Sequence, residues 1–404
     1  MTPRLPDHRA TEPWVLGLRS AEFPDLDPAL AYLDAAATTP KPRVVLDALR
    51  DAYTTAFANV HRGVHGPSRV ATARYEAARA RVAAFLGATD PSEVVFVRGA
   101  TEGSNLLAAT VPLAPGDEVW VSGLDHHASF VPWQQRCLAA GATLRVIPVT
   151  PEATLAPASF GPRTRVVSVP HASNAFGTVI DVAELAARAH AVGAVVVVDG
   201  AQAAPHLPID VRALGADAYT FSGHKVYGPQ GIGALWLSPA LAARLPPWQT
   251  GGEMVSVVEV EGTTFQPPPA RFEAGTPHAV GAMALAAALD FVAGLGWDAV
   301  AAHEQALAEA AREGLSRVPG VRIVGPPGGV PIVSFVVDGV HPHDLGTVLD
   351  AEGVAVRTGH HCAMPAMTAL GLDGTTRASF AVYNLPQEVD RLVAAVRKAV
   401  EWLG

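Results

Sequence analysis

One lysine is placed to do covalent chemistry. Lys225 follows an apolar run at residues 218–221 and a Ser-Gly-His turn, so its amine would point into a cleft at the end of a strand. An amine that is partly removed from water has a lowered pKa and forms Schiff bases with carbonyl compounds. Asp199 ends another apolar run, where its carboxylate could pair with a buried cation such as a pyridinium nitrogen. A solvated surface lysine and a helix-capping aspartate fit the same two segments.

A second group of residues could bind an anion beside that amine. Residues 99–104 (Gly-Ala-Thr-Glu-Gly-Ser) join an apolar run to a helical stretch, so their backbone N–H groups could meet a phosphate. Thr101 and Ser222 could add hydroxyl donors, and His126 could stack on a flat ring and move protons. Simple helix capping and a structural histidine are the alternatives. The sequence has no Walker loop and no Gly-x-Gly-x-x-Gly turn after an early strand, which disfavours nucleotide binding.

The two cysteines of the chain lie in different settings. Cys362 is preceded by Arg357 and two histidines, which would favour a thiolate, and its small neighbours indicate exposure. Cys137 lies in a helical stretch and fits an inert, buried thiol. Two cysteines exclude a disulfide scaffold, and adjacent histidines point to different sides, so we expect no metal site. Arg357 and Arg377 could each bind a carboxylate ligand or form a structural ion pair.

Short apolar runs separated by helical stretches must position these residues. Polar turns follow five such runs, at residues 94–97, 118–122, 166–169, 195–198 and 218–221. Continuous apolar strands that alternate with helices predict a largely parallel sheet covered on both faces. Ligands bind at the carboxyl ends of such strands, so the turns predict one shared site.

The pattern of helices and strands that the sequence predicts changes near residue 290. Residues 291–404 combine a long helical stretch, shorter strands and a closing amphipathic helix, which predicts a smaller α+β domain that carries Cys362. Residues 31–290 would form the large, ligand-binding domain. We expect residues 1–30, which are rich in proline, to pack against the small domain.

Composition excludes several protein classes. Hydrophobic residues make up 49% of the 404 residues and charged residues 17%, the reverse of a disordered chain. The net charge of −9 offers no basic face for nucleic acid. The first residues lack the apolar core of a signal peptide, and no apolar stretch has the length of a membrane span. We therefore expect a soluble, cytoplasmic protein that binds neither nucleic acid nor membrane.

Taken together, the motifs resemble the pyridoxal-phosphate cysteine desulfurases and selenocysteine lyases of the SUF type. The central motifs are FSGHKVYGPQGIG around Lys225, VVVVDGAQ with Asp199 and RTGHHCAMP with Cys362. Seven further segments extend the match from about residue 30 onward: YLDAAATTPKP, VHRGVH, VRGATEGSN, DHHASFVPWQ, SNAFGT, RFEAGTP and RASFAVYN. The resemblance implies a homodimeric fold-type-I enzyme of the class V aminotransferase branch, α/β with a mostly parallel sheet between helices.

The resemblance also implies roles for individual residues. Lys225 would bind the cofactor covalently, Asp199 would pair with its ring nitrogen, and His126 would stack on the ring. The expected cofactor-binding residues are Ala100, Thr101, His126, Asp199, Gln202, Ser222, His224, Lys225 and, donated by the other subunit, Thr276. The expected substrate-binding residues are Asn174, Arg377, Arg357, Arg62 and His61. Lys225, Cys362 and His126 are the expected catalytic residues.

The implied reaction converts L-cysteine to L-alanine and leaves the sulfur as a persulfide on Cys362. An acceptor or activator protein of the SUF system would then take it for iron–sulfur cluster assembly. The loop that carries Cys362 is short, so we expect slow turnover without a partner. A selenocysteine lyase, another class V enzyme and a non-catalytic scaffold are the alternatives. Two residues depart from the expected pattern: Ala100 stands where a hydroxyl residue can occur, and His278 where we expect asparagine.

Overall fold

The computed structural model describes residues 13–403, so our prediction for residues 1–12 lies outside the described residues. The strands are β1 Ala31–Tyr32, β2 Val94–Val97, β3 Glu118–Ser122, β4 Thr143–Ile147, β5 Thr164–Pro170, β6 Val195–Asp199, β7 Ala218–Ser222, β8 Gly233–Leu237, β9 Val255–Val258, β10 Thr263–Phe265, β11 Val321–Val324, β12 Ile332–Val337, β13 Val354–Ala355, β14 Arg357–Gly359 and β15 Thr375–Ser379. The helices are α1 Pro13–Glu22, α2 Arg43–Thr55, α3 Gly66–Phe85, α4 Ala100–Thr110, α5 His127–Ala140, α6 Val182–His190, α7 Pro239–Ala242, α8 Ala279–Leu295, α9 Trp297–Ser316, α10 Pro342–Ala351, α11 Met364–Ala369 and α12 Pro386–Leu403.

A seven-stranded sheet forms the centre of the molecule, in the order β2-β8-β7-β6-β5-β3-β4. Its strands are parallel except for β8, which is antiparallel to both of its neighbours. The five predicted apolar runs lie in β2, β3, β5, β6 and β7. The predicted fold class, a mostly parallel α/β sheet, is confirmed.

Alternate side chains of the central strands enter separate apolar layers. Val196 and Val198 of β6 pack in the layer that contains α2, α3, α6 and α8, whereas Val197 packs with α4 and α5. Helices therefore cover both faces, and the strand residues can be apolar on both sides. Cys137 is buried in the α4–α5 layer, so the prediction of a buried thiol is confirmed.

A second, four-stranded antiparallel sheet has the order β11-β12-β15-β14 and packs with α9, α10 and α12. We placed the start of the large domain at residue 31. In the structure Ala31 and Leu33 instead lie in the core of the small sheet, because β1 pairs in parallel with β13. The chain therefore passes through the small domain before it enters the large one.

The described part of the N-terminal segment contacts both domains. Arg19 of α1 pairs with Glu388 of α12 at 2.7 Å, and the ring of Phe23 packs against Tyr383 and against Tyr227 of the large domain. Within residues 13–403, no single helix is long and apolar enough to cross a membrane. Only α8 and α9 together, bent by 81° where they meet, reach that length and composition.

Candidate active site

Both sheets contribute to one cavity of about 240 Å³. It lies at the carboxyl ends of the parallel strands, where Asp199 of β6 is level with Pro170 of β5 and Thr220 of β7. The sequence-predicted residues that line it are Ala100, Thr101, His126, Asn174, Asp199, Gln202, Ser222, His224, Lys225, Arg357, Cys362 and Arg377. The shared site expected from the polar turns is thus present.

Lys225 ends a short 3₁₀ turn directly after β7, which directs its side chain into the cavity. The carbonyl oxygen of His224 fixes this turn by accepting from Thr39 N at 3.1 Å, Thr38 Oγ1 at 3.1 Å and Lys41 Nζ at 3.0 Å. Burial lowers the pKa of the Lys225 amine to about 8, against the opposing attraction of Asp199. About one tenth of the amine is therefore neutral, and nucleophilic, at pH 7.

Two hydrogen bonds hold the carboxylate of Asp199 at the cavity wall. Its Oδ2 accepts from Ser129 Oγ at 3.1 Å and its Oδ1 from Ala201 N at 2.9 Å, while only 8% of the residue is exposed. The next residue must be glycine, since a Cβ on Gly200 would stand 2.1 Å from the Tyr219 ring. No helix follows Asp199 directly. Asp199 therefore does not cap a helix, and its side chain lines the cavity, where it could pair with a cation.

Asp125 is a buried acid near Asp199 that the sequence analysis did not single out. Its Oδ2 accepts from Ser122 N at 3.0 Å. Burial, and next the charge of Asp199, raise the pKa of Asp125 well above its usual value. Asp125 therefore favours its neutral form more strongly than an exposed aspartate does.

His126 is the N-cap of α5, and its Nδ1 accepts from Ala128 N at 2.9 Å. That bond assigns the proton of the neutral ring to Nε2. Burial, and next the charge of Lys225, lower the pKa of His126 to about 4. The imidazole is therefore neutral at pH 7 and can stack on a flat ring or exchange a proton through Nε2.

An anion-binding corner lies at the start of α4. Ser222 Oγ accepts from Ala100 N at 2.9 Å, which leaves the serine proton available to a ligand. Ala100 contributes only its backbone there, whereas Thr101 adds a hydroxyl. Because Ala100 N already donates to Ser222, and Glu102 N and Gly103 N to Gly99 O, a phosphate would meet the two hydroxyls and the positive end of the helix dipole. Burial lowers the pKa of the neighbouring His224 to about 4, so this ring can donate to an anion only as a neutral imidazole.

Arg377 is the buried cation at the opposite end of the cavity. Its Nη1 donates to Asn174 O at 2.8 Å, and its Nη2 pairs with Asp34 Oδ1 at 3.0 Å. Arg357 is exposed and lies 3.9 Å from the same carboxylate. The role of Asp34 escaped the sequence analysis, although its segment, YLDAAATTPKP, belongs to the motifs that carry the resemblance.

Buried polar atoms of the cavity wall still lack partners. Within residues 13–403 these atoms are Asn174 Oδ1, Gln202 Oε1, His361 Nδ1 and Arg377 Nε. Buried polar groups are costly unless a ligand or water satisfies them. Together with Lys225, Asp199 and the helix start, they fit a polar, phosphorylated aldehyde with a basic ring nitrogen. The residues present therefore suit pyridoxal phosphate.

Cys362 lies on the loop between β14 and α11, and its exposure is confirmed. His361 and Cys362 have φ angles of 51° and 55°, in the left-handed region that residues with side chains rarely adopt. His127 N donates to Cys362 O at 2.7 Å, and Met364 N donates to His127 Nε2 at 3.1 Å. The sequence analysis expects no metal at the adjacent histidines His126 and His127 and gives His127 no other role. These two hydrogen bonds place His127 against the loop that carries Cys362.

Three predicted residues do not line this cavity. Arg62 pairs with Glu253 at 2.8 Å, and His61 pairs with Glu76 at 2.9 Å. Thr276 lines a separate cavity of about 470 Å³. Their roles in binding stay predictions. Among residues 13–403, no cluster of three or more His, Cys, Asp or Glu side chains could hold a metal ion.

Comparison with known proteins decides the family. Residues 31–392 match the family model described as aminotransferase class-V. The chain belongs to the class-V aminotransferase family. It is 46% identical over 397 residues to a cysteine desulfurase of Dickeya dadantii (strain 3937), covering 95% of this chain and 96% of that protein. A probable cysteine desulfurase of Vibrio cholerae is also 46% identical, over 95% of this chain and 98% of its own length.

Solved structures agree with this family assignment. The enzyme superimposes on the Escherichia coli cysteine desulfurase CsdA with a TM-score of 0.90 at 39% identity, over 98% of this chain and all of that one. The cysteine desulfurase of Thermococcus onnurineus NA1 gives a TM-score of 0.91 at 36% identity, with the same coverage. The expected enzyme class, a pyridoxal-phosphate-dependent cysteine desulfurase of the class-V family, is confirmed.

Proposed function

We propose that this enzyme takes sulfur from L-cysteine, releases L-alanine and holds the sulfur as a persulfide on Cys362. One observation carries the proposal: an exposed thiol and a buried, partly neutral lysine line the same cavity. The lysine suits chemistry at the substrate carbon, and the thiol suits chemistry at its sulfur. The cysteine desulfurases to which the chain is similar support this assignment.

The residues that would hold pyridoxal phosphate occupy three sides of the cavity. Lys225 would bind the aldehyde, Asp199 the ring nitrogen and His126 the ring face. Gln202, whose Nε2 already donates to Ala36 O at 2.8 Å, would use its free Oε1 toward the ring hydroxyl. The start of α4, with Thr101, Ser222 and His224, would receive the phosphate. When bound, the cofactor supplies an electron sink that weakens bonds at the carbons of an amino acid.

Arg377 and Asn174 would bind the α-carboxylate of the substrate. The free Nε of Arg377 and its fixed guanidinium plane suit a planar carboxylate. Asp34 would hold that plane in place, since it pairs with Nη2 at 3.0 Å. Arg357, whose side chain is 46% exposed, could add a second guanidinium when substrate arrives.

Lys225 and Cys362 would carry out the two halves of the reaction. Once released, the neutral Lys225 amine would take the proton from Cα. The Cys362 thiolate would then attack the substrate sulfur, so that an S–S bond forms while the Cβ–S bond breaks. The electron pair of the broken bond would remain on Cβ, which would take a proton to become a methyl group, and the proton held by Lys225 would return to Cα to complete alanine. Sulfur is oxidised and carbon reduced, so no further oxidant is required. His126 Nε2 would donate or accept a proton during this sulfur transfer.

We further propose that a homodimer delivers this sulfur to a SUF-type acceptor protein for iron–sulfur cluster assembly in the cytoplasm. The exposure of Cys362 supports transfer to another protein. Val257, Val258 and Val260, in and beside the β9–β10 hairpin, expose apolar side chains that a second subunit could cover. Thr276 would then serve the cavity of the neighbouring subunit.

The test is product analysis of the holoenzyme with L-cysteine and a reducing thiol, with L-serine as a parallel substrate. We expect equal amounts of alanine and sulfide from cysteine and no product from serine. Addition of a purified SUF-type acceptor should raise the turnover. Formation of pyruvate and ammonia, or racemised cysteine without alanine, would contradict the proposal. Full-speed turnover without any acceptor would contradict the expected need for a partner.

A further inference from the structure

Two adjacent histidines at the start of α5 face different regions. His126 turns into the cavity as the N-cap, while the ring of His127 contacts the loop that carries Cys362. This divergence follows from the change from extended to helical backbone between the two residues. One turn of chain thus touches both the cofactor region and the sulfur loop.

His127 holds the sulfur loop through two hydrogen bonds. Its backbone N donates to Cys362 O at 2.7 Å, and its Nε2 accepts from Met364 N at 3.1 Å. These contacts hold the carbonyl of Cys362 and the amide two residues further on. The backbone around Cys362 is therefore fixed, and with it the direction of the Cα–Cβ bond that carries the thiol.

The contact with Met364 also satisfies the start of a helix. Met364 is the first residue of α11, whose N-cap, Ala363, makes no side-chain capping bond in the part of the chain described here. The His127 ring supplies the missing acceptor from another helix. Asn174 holds the other end of the loop, since its Nδ2 donates to His361 O at 2.5 Å.

We propose that His127 is a positioning residue for sulfur transfer, which aligns Cys362 by accepting a hydrogen bond from Met364 N. This inference rests on the proposed function, because it assigns a purpose to the alignment of that thiol. The His127 ring also lies beside that of His126, with centroids 6.3 Å apart and planes tilted by 49°, while its hydrogen bond goes to the sulfur loop. Burial, and next the charge of His360, lower the pKa of His127, which keeps Nε2 available as an acceptor.

The test compares His127→Leu with His127→Gln in the holoenzyme. Leucine removes the acceptor, whereas the glutamine Oε1 can occupy the place of Nε2. We expect the Leu variant to form the Cys362 persulfide about tenfold more slowly in a single turnover, because small misplacements of a reacting group are costly. Hydrogen exchange at the Met364 amide should become at least about fivefold faster. The first absorbance change on adding L-cysteine should keep its wild-type rate in both variants, and glutamine should restore the persulfide rate and the exchange rate.

His341 provides a matched control. Its Nδ1 accepts from His343 N at 3.2 Å at the start of α10, so it is also a histidine cap, but it does not line the cavity. His341→Leu should leave persulfide formation unchanged.

Wild-type persulfide rates in His127→Leu would overturn the proposal, and so would a Gln variant as slow as Leu. If the Leu variant fails to fold, the Gln variant decides the matter: wild-type rates support the proposal and slow rates overturn it. If the wild type itself forms no persulfide, the proposed function fails. Exchange at the Met364 amide would then still decide whether His127 holds the loop.

Discussion

The two halves of the cavity are built in opposite ways. The cofactor half rests on the ends of parallel strands, where Asp199 and Ser222 are 8% exposed and held by hydrogen bonds of 3.1 and 2.9 Å. The sulfur half is a loop at the edge of the small sheet, with an exposed Cys362 in left-handed backbone. Chemistry at the substrate carbon needs groups that stay fixed. A thiol that must pass sulfur to another protein needs exposure, and hydrogen bonds can hold it without burying it.

A hydrogen bond of Arg377 joins the two domains. Asp34 follows β1 and belongs to the chain segment that enters the small sheet, and it pairs with Arg377 of β15. The backbone carbonyl of Asn174, from the large domain, accepts from the same guanidinium. The end of the cavity that suits a substrate carboxylate is therefore set by contacts between the domains, which neither sheet provides alone.

The largest expected effect is in the cofactor half. Lys225→Ala should lower alanine formation about 10³-fold or more, because both the covalent anchor and the base are lost. Alkylation of Cys362 should keep its wild-type rate, since the sulfur loop is held separately. Steady-state assays and thiol labelling measure the two effects. Lys398→Ala is the matched control, because Lys398 pairs with Glu352 outside the cavity. Wild-type turnover in Lys225→Ala would refute the assignment.

Cys362→Ala should produce the opposite pattern. Sulfur transfer should fall at least about 10²-fold, because the attacking thiolate is gone. The absorbance change on adding L-cysteine should persist, since the cofactor half is intact. Stopped-flow absorbance and sulfide release report the two halves in one sample. Cys137→Ala, which alters the buried thiol, should transfer sulfur normally. Loss of the absorbance response in Cys362→Ala would show that the halves are not separable.

Asp34→Asn tests the ion pair that orients Arg377, the residue that joins the two domains. Arg377 would lose its anionic partner, so we expect KM for L-cysteine to rise about tenfold, or ~1.4 kcal/mol, with a much smaller change in kcat. The thermal unfolding midpoint should fall as well, because a buried cation loses its compensation. Asp47→Asn, at an exposed position of α2, is the control. An unchanged KM would mean that Arg377 does not depend on Asp34 for its orientation.

The smallest effect is a pH dependence of cofactor uptake. Only a neutral amine attacks an aldehyde, and the pKa of Lys225 is lowered to about 8. In enzyme stripped of cofactor, the rate of pyridoxal phosphate incorporation should therefore rise about fivefold between pH 7 and 8 and level off above that. A lysine peptide measured alongside should continue to rise toward pH ~10. An enzyme profile that follows the peptide would contradict the lowered pKa.

The sequence predicts which residues line the cofactor half, but it does not predict the contacts that hold the sulfur half. Lys225 and Asp199 follow apolar runs, and the carboxyl ends of parallel strands meet at one edge whatever the details of packing. The exposure of Cys362 also followed from its small neighbours. The position of Asp34 beside Arg377 could not be predicted from such local patterns. The strand before it, β1, has only two residues, and its partner, β13, lies more than three hundred residues further along the chain. Local patterns carry no information on such a pairing.

His127 shows the same limit at the level of one side chain. The sequence indicated that adjacent histidines diverge, but the direction of each ring depends on where α5 begins. Its partner, Met364 N, belongs to a helix of six residues whose start is not marked by a polar cap. Helices α8 and α9 are separated at Gly296, where φ is 82°. The domain boundary predicted at residue 290 lies within α8 and stays a prediction.

Intact mass spectrometry of the anaerobic holoenzyme after addition of L-cysteine should decide whether Cys362 receives the sulfur. We expect the wild type and Cys137→Ala to gain the mass of one sulfur atom, with peptide mapping to Cys362, and alanine to be released. Cys362→Ala should gain none. A wild-type enzyme that responds in cofactor absorbance but gains no sulfur, or gains it on Cys137, would contradict the assignment of the sulfur half.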